Sequence, residues 1–119
     1  MDNGLLNLYL YKGETKLLEN LVALQLRKKY WDPEEPKLFF YKRGGVDLDF
    51  YVPQEKMAVQ ASYDLTTQAT RDREINALVD FSKVFKLDHA LIITYDEEET
   101  IEKDGLIIEV VPVWKWLLL

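Results

Sequence analysis

Two alternating runs limit most narrowly what this chain can fold into: Val46-Asp47-Leu48-Asp49-Phe50-Tyr51-Val52, and Ala58 to Asp64 after a short connection holding Pro53. Successive side chains of a strand point to opposite faces. Val46, Leu48, Phe50 and Val52 are therefore expected on one face, and Asp47, Asp49 and Tyr51 on the other. The second run sorts in the same way, with Met57, Val59, Ala61 and Tyr63 set against Gln60, Ser62 and Asp64. If the two strands pair, one face is apolar and the other gathers Asp47, Asp49, Gln60, Ser62 and Asp64.

A length of 119 residues fits one domain, and a chain of this size buries roughly two-thirds of its unfolded surface. The chain has no cysteine, which removes disulfides, thiolate metal sites and cysteine nucleophiles together, and His89 is its one histidine. The hydrophobic C-terminal run is far too short to span a membrane, so a cytoplasmic protein without a membrane role is expected. A net charge of -6 weakens the case for this domain gripping a phosphate backbone alone. Basic residues cluster locally, however, at Arg27-Lys28-Lys29, Lys42-Arg43 and Arg71 with Arg73. Much of the negative charge lies in Asp96-Glu97-Glu98-Glu99 with Glu102 and Asp104, which reads as a solvated hairpin tip.

Apolar positions at Leu17, Leu18, Leu21, Val22, Leu24 and Leu26 recur as in a helix over Thr15 to Tyr30. Trp31-Asp32-Pro33-Glu34-Glu35-Pro36 is expected to end it. Lys37 to Lys42, the Gly44-Gly45 turn and Val46 to Val52 read as a hairpin, with Met57 to Tyr63 as a third strand. Thr66 or Thr67 can cap a second helix with the stripe Ile75, Leu78, Val79, Phe81 and Phe85. Ala90 to Thr94 is a continuous apolar run, as for a strand covered on both faces. After the turn signal Lys103-Asp104-Gly105 comes a strand over Leu106 to Val111, and Val113 to Leu119 closes the chain as a short helix docking through Trp114 and Trp116. The order is α-β-β-β-α-β-β-α, in one domain over residues 1–119.

Leu18-Glu19-Asn20-Leu21-Val22, Val46-Asp47-Leu48-Asp49-Phe50, Val59-Gln60-Ala61-Ser62-Tyr63, Arg71-Asp72-Arg73-Glu74, Leu91-Ile92-Ile93-Thr94-Tyr95-Asp96 and Val111-Pro112-Val113-Trp114-Lys115-Trp116 together resemble the C-terminal domain of archaeal and bacterial AAA-type ATPases. Asp2-Asn3-Gly4-Leu5-Leu6 is similar to the junction that precedes that domain. The resemblance implies a restriction-endonuclease-like α/β fold, a central mixed sheet flanked by helices. It also implies that the chain is the C-terminal part of a longer ATPase, or a stand-alone relative of that part; no phosphate loop ending in Gly-Lys-Ser or Gly-Lys-Thr occurs here, so ATP hydrolysis is not assigned to these residues.

The nuclease superfamily with that fold uses a helix-borne Glu, a strand-borne Asp and Glu-x-Lys on the next strand. Carried over by position, Glu19 matches the helical Glu, Asp49 the Asp, Gln60 the second carboxylate and Ser62 the lysine. The resemblance thus implies a degenerate catalytic set of Asp49, Gln60 and Glu19, with Asp49 and Asp47 as ligands for Mg²⁺ or Mn²⁺, hard cations that take oxygen donors. Replacing Glu-x-Lys by Gln-x-Ser removes one metal charge and the cation of the motif. The expected role is accordingly a non-catalytic module that contacts nucleic acid or a protein partner for the attached ATPase. A weak metal-dependent nuclease and a pure protein assembly domain are the alternatives. Arg71 and Arg73 are the candidate nucleic-acid contacts, and the plain alternative for them is ion pairing with Asp72 and Glu74 on the same helix.

Overall fold

The computed structural model describes residues 3–30, 39–43 and 46–118, with side chains over 16–30 and 48–118. The expected breaks at Trp31 to Pro36 and Gly44-Gly45, the beginning of the strand at Lys37, and the side chain of Asp47 lie outside the described residues. Helix α1 covers Asn3–Tyr30, followed by strands β1 (Phe39–Arg43), β2 (Val46–Val52) and β3 (Met57–Ala61). Helix α2 is Gln68–Val84, strands β4 (His89–Thr94), β5 (Glu99–Lys103) and β6 (Leu106–Pro112) follow, and α3 is Val113–Trp116. The strands form one mixed sheet in the order β1-β2-β3-β4-β6-β5. The pairs β3–β4 and β4–β6 are parallel, whereas β1–β2, β2–β3 and β5–β6 are antiparallel.

Helices cover both faces of this sheet. On one face Leu18, Val22 and Leu26, each four residues from the next and therefore on one side of α1, pack onto Phe50, Val52, Val59, Ala61 and Ile93. On the other, Ile75, Leu78 and Phe81 of α2 pack onto Ala58, Ala90, Ile92, Ile108 and Val110. The central strand β4 feeds both clusters, Ile92 facing α2 and Ile93 facing α1, which accounts for its unbroken apolar run. Truncating any of these wholly buried Leu or Ile side chains to Ala costs about 2–5 kcal/mol.

Several sequence expectations are corrected. Helix α1 begins at Asn3 and not near Thr15, and Leu24, read into its apolar stripe, is 66% exposed. A strand that was not foreseen, β5, occupies Glu99–Lys103, so the acidic run is the β4–β5 connection and part of an edge strand. The hairpin tip is Asp104-Gly105, with φ of 52° and 82°, the left-handed pair of a two-residue turn between Lys103 and Leu106. Thr67 is the cap of α2, its side chain accepting from Thr70 N at 3.3 Å. Trp116 packs on the α1-side core as expected, but Trp114 is 57% exposed.

The most consequential correction concerns Leu48. It packs with α2 while Phe50 and Val52 pack with α1, so the four apolar residues of β2 do not share a face. Between the pairs Phe39↔Tyr51 and Tyr41↔Leu48, β1 advances two residues and β2 three. Strand β2 thus carries one extra residue between Leu48 and Tyr51, a β-bulge, and a bulge inverts the alternation on either side of it. Asp49 lies in that stretch. No helix among the described residues is long and apolar enough to cross a membrane.

Candidate functional site

The regular pairing of β2 with β3 runs through Val52↔Met57, Tyr51↔Ala58 and Phe50↔Val59. The next residues, Asp49 and Gln60, replace the ladder with side-chain bonds. Asp49 N donates to Gln60 Oε1 at 2.6 Å, and Ala61 N donates to Asp49 Oδ2 at 2.9 Å. Each side chain therefore serves the backbone of the opposite strand just beyond the last regular pair, Phe50↔Val59. Buried backbone donors must find an acceptor, and here Asp49 and Gln60 supply it.

Gln60 is 2% exposed and faces α2, since Met57, Val59 and Ala61 of the same strand face α1. Its Nε2 donates to Glu74 Oε2 at 3.0 Å. Glu74 is itself only 7% exposed, and its other oxygen accepts from Arg73 Nε at 3.5 Å. A chain of polar contacts results, from the β2 backbone through Gln60 and Glu74 to the Arg73 guanidinium at the surface. Sequence reasoning did not single out Glu74 as a site residue. The signal was present: Glu74, Ala77, Leu78 and Phe81 follow the i, i+3, i+4, i+7 spacing of one helix face, so Glu74 is a carboxylate on the apolar stripe of α2, and all four are buried.

Ser62, expected from the resemblance to stand where that superfamily has its lysine, is also 2% exposed, and its hydroxyl donates to Asp64 O at 2.9 Å. Glu19 is half-buried on α1, the helix that packs against the sheet face opposite the one where Gln60 meets Glu74. The structure thus brings Asp49 and Gln60 into contact, adds Glu74, and leaves Glu19 on the other side of the sheet. Among the described residues no group of three or more His, Cys, Asp or Glu is placed to hold a metal ion. Asp49 Oδ2 and Gln60 Oε1, two of the oxygens that the resemblance offers to Mg²⁺ or Mn²⁺, each accept a backbone N–H group.

Arg71 does not pair with its helix neighbours. Its guanidinium meets Glu99 of β5 through both terminal nitrogens, Nη1 reaching Oε2 at 3.0 Å and Nη2 reaching Oε1. This hydrogen bonding holds the Glu99 carboxyl below its ordinary range and raises the Arg71 pKa. Glu97 and Glu98 of the acidic segment are engaged too. Glu97 Oε2 accepts from Leu65 N at 2.9 Å, Thr94 Oγ1 donates to Glu97 O and accepts from Glu97 N, both at 2.9 Å, and Lys115 Nζ donates to Glu98 Oε2. Glu97 and Glu98 tie the end of β4 to the loop before α2 and to α3, while Asp96, Glu102 and Asp104 are exposed, the last at the hairpin tip. His89 begins β4 with its side chain exposed, and its N donates to Lys56 O at 3.2 Å.

No family model matches the chain, and no solved structure does. An uncharacterised protein of Methanocaldococcus jannaschii is 37% identical over 114 residues, an alignment covering 90% of this chain and 25% of that protein. The chain therefore spans about a quarter of the length of the curated relative it matches.

Proposed function

We propose that this chain is a restriction-endonuclease-like module in which the nuclease position has become a structural junction, and that it works as a non-catalytic accessory domain of a longer AAA-type ATPase, contacting a protein partner. The observation that carries the non-catalytic reading is the double engagement of the Gln60 amide, Oε1 by the Asp49 backbone and Nε2 by Glu74. An amide has one accepting and one donating end. A carboxylate in its place could accept from Asp49 N but would meet the Glu74 carboxylate, so the network is built for glutamine.

The fold reading is supported by the element order and by the contact of Asp49 with Gln60 across adjacent strands. Membership of a longer protein is supported by the extent of the M. jannaschii relative beyond the matched quarter. A protein partner is favoured over nucleic acid by the net charge of -6 and by the pairing of Arg71 with Glu99, which leaves a phosphate less to gain there.

Wild-type and Asp49→Ala proteins incubated with DNA and RNA in Mn²⁺ and in Mg²⁺ test the proposal. Neither is expected to cut. Cleavage by the wild type that disappears in Asp49→Ala establishes a working nuclease instead, and binding to labelled DNA that weakens steeply with salt replaces the protein partner by nucleic acid.

A further inference from the structure

Helix α1 covers β2 and β3, and Trp116 of α3 packs on the same side of the sheet; between them a cavity of about 150 Å³ remains. Leu26, Met57 and Leu91 give it apolar lining, Tyr30 and Trp116 add aromatic rings, and Gln25 and Lys29 are its polar members. Leu91 is flanked in the sheet by Val59 of β3 and by Glu109 of β6, and Glu109 is exposed. Among the described residues the opening therefore continues onto an exposed part of the sheet at Glu109.

Two features define what fits. A volume of about 150 Å³ is enough for a benzene ring, so the space suits one aromatic side chain and not an extended ligand. Lys29 is exposed, with its ammonium 5.5 Å from the Tyr30 ring centroid, and it belongs to the basic last turn of α1 with Arg27 and Lys28. In a chain of net charge -6 this turn is a place where a carboxylate meets attraction.

We infer that this cavity is an anchor site for a protein partner, whose segment inserts one aromatic side chain against Leu26, Met57 and Leu91 while an adjacent carboxylate pairs with Lys29. An aromatic anchor in a desolvated pocket with a charged pair at its rim is the usual distribution of energy at a protein interface. The site lies on the sheet face opposite Glu74, so it stands or falls separately from the fate of Asp49 and Gln60.

The test titrates the isotopically labelled 119-residue chain with the peptide acetyl-Gly-Glu-Phe-Glu-Gly-amide, following the Trp116 indole N–H and the Met57 methyl resonance. Both signals are expected to shift saturably. Exchanging the peptide's Phe for Ala, or its glutamates for lysines, should weaken binding at least about tenfold, an energy within reach of one anchor or one charge pair. Lys29→Glu should reverse the charge preference, favouring the lysine peptide, and Leu91→Phe should fill the cavity and abolish binding with the charges intact. Absence of saturation below about 1 mM at both signals, or binding indifferent to Phe or to the charge at position 29, overturns the inference.

Discussion

The Gln60 amide and the Glu74 carboxylate meet at 3.0 Å between β3 and α2, both below 8% exposure, with the amide nitrogen as donor. That contact fixes which way the amide points, because Oε1 accepts from Asp49 N at the other end. Position 60 is thus specified for a neutral group with one donor and one acceptor. Gln60→Glu should consequently be destabilising, by about 3 kcal/mol at neutral pH, the scale of an uncompensated buried charge. The sign of its pH dependence follows from the pair of carboxylates it creates. Like charges in a buried site raise the folded-state pKa above the unfolded value of about 4.3. The deficit is then full above the raised pKa and shrinks as pH falls through it, so urea midpoints of variant and wild type should converge on acidification. A variant that stays as stable as the wild type at neutral pH contradicts this account of Gln60.

Glu74 gives a second prediction on the same contact. Glu74→Ala removes the acceptor facing Gln60 Nε2 and should cost about 1–3 kcal/mol, the range for a buried polar group that loses its partner. Glu74→Gln keeps an acceptor oxygen and should lie within about 1 kcal/mol of the wild type. Coupling measured in a cycle of Gln60→Ala, Glu74→Ala and the double variant should reach about 0.5–3 kcal/mol. Additive effects in that cycle would mean that the two side chains do not act together.

The order of helices and strands was largely legible because apolar spacing reports it directly: the stripe of α2, the double-sided β4 and the Asp104-Gly105 turn were all found by periodicity or turn chemistry. Three features were not. The bulge near Asp49 inverts the facing of Leu48, and nothing in Val46 to Val52 distinguishes a bulged strand from a regular one. Strand β5, Glu99-Thr100-Ile101-Glu102-Lys103, offers little apolar signal, since as an edge strand it is mostly exposed and charged residues suit an unpaired edge. Arg71 and Glu99 are 28 residues apart, and helix spacing rules reveal only partners three or four residues away. The candidate site was half visible: the Asp49 and Gln60 pairing followed from two adjacent alternating runs, whereas Glu74 was read only as an ion-pair partner of the arginines on its own helix.

Gly105 at φ 82° sits in a region that an L side chain enters at a cost, although no atom lies within 4 Å of where a Cβ would be. Gly105→Ala should therefore lower stability by about 1–2 kcal/mol through backbone conformation alone. Asp104→Gly, at the neighbouring left-handed position, should be close to neutral. Thermal unfolding of the two variants separates the backbone effect from any loss of packing.

The pairing of Arg71 with Glu99 joins the first turns of α2 to the edge strand β5, and the two side chains retain 28% and 40% of their exposure. Solvent screening at that exposure limits the pair to about 1 kcal/mol or less in spite of its two-point geometry. Arg71→Ala should accordingly lower stability by no more than about 1 kcal/mol at low salt, with the loss shrinking as salt rises. The Glu99 carboxyl is held below its ordinary value of 4.5 by the guanidinium. A depressed folded-state pKa contributes stability that is complete above the unfolded value and disappears as pH falls through the folded one. The difference between wild type and Arg71→Ala should then be constant near neutrality and vanish only in acid, below the range where free glutamates protonate. The prediction fails if acidification to pH values well below 4.5 leaves the difference unchanged, because protonated Glu99 has no charge to offer Arg71.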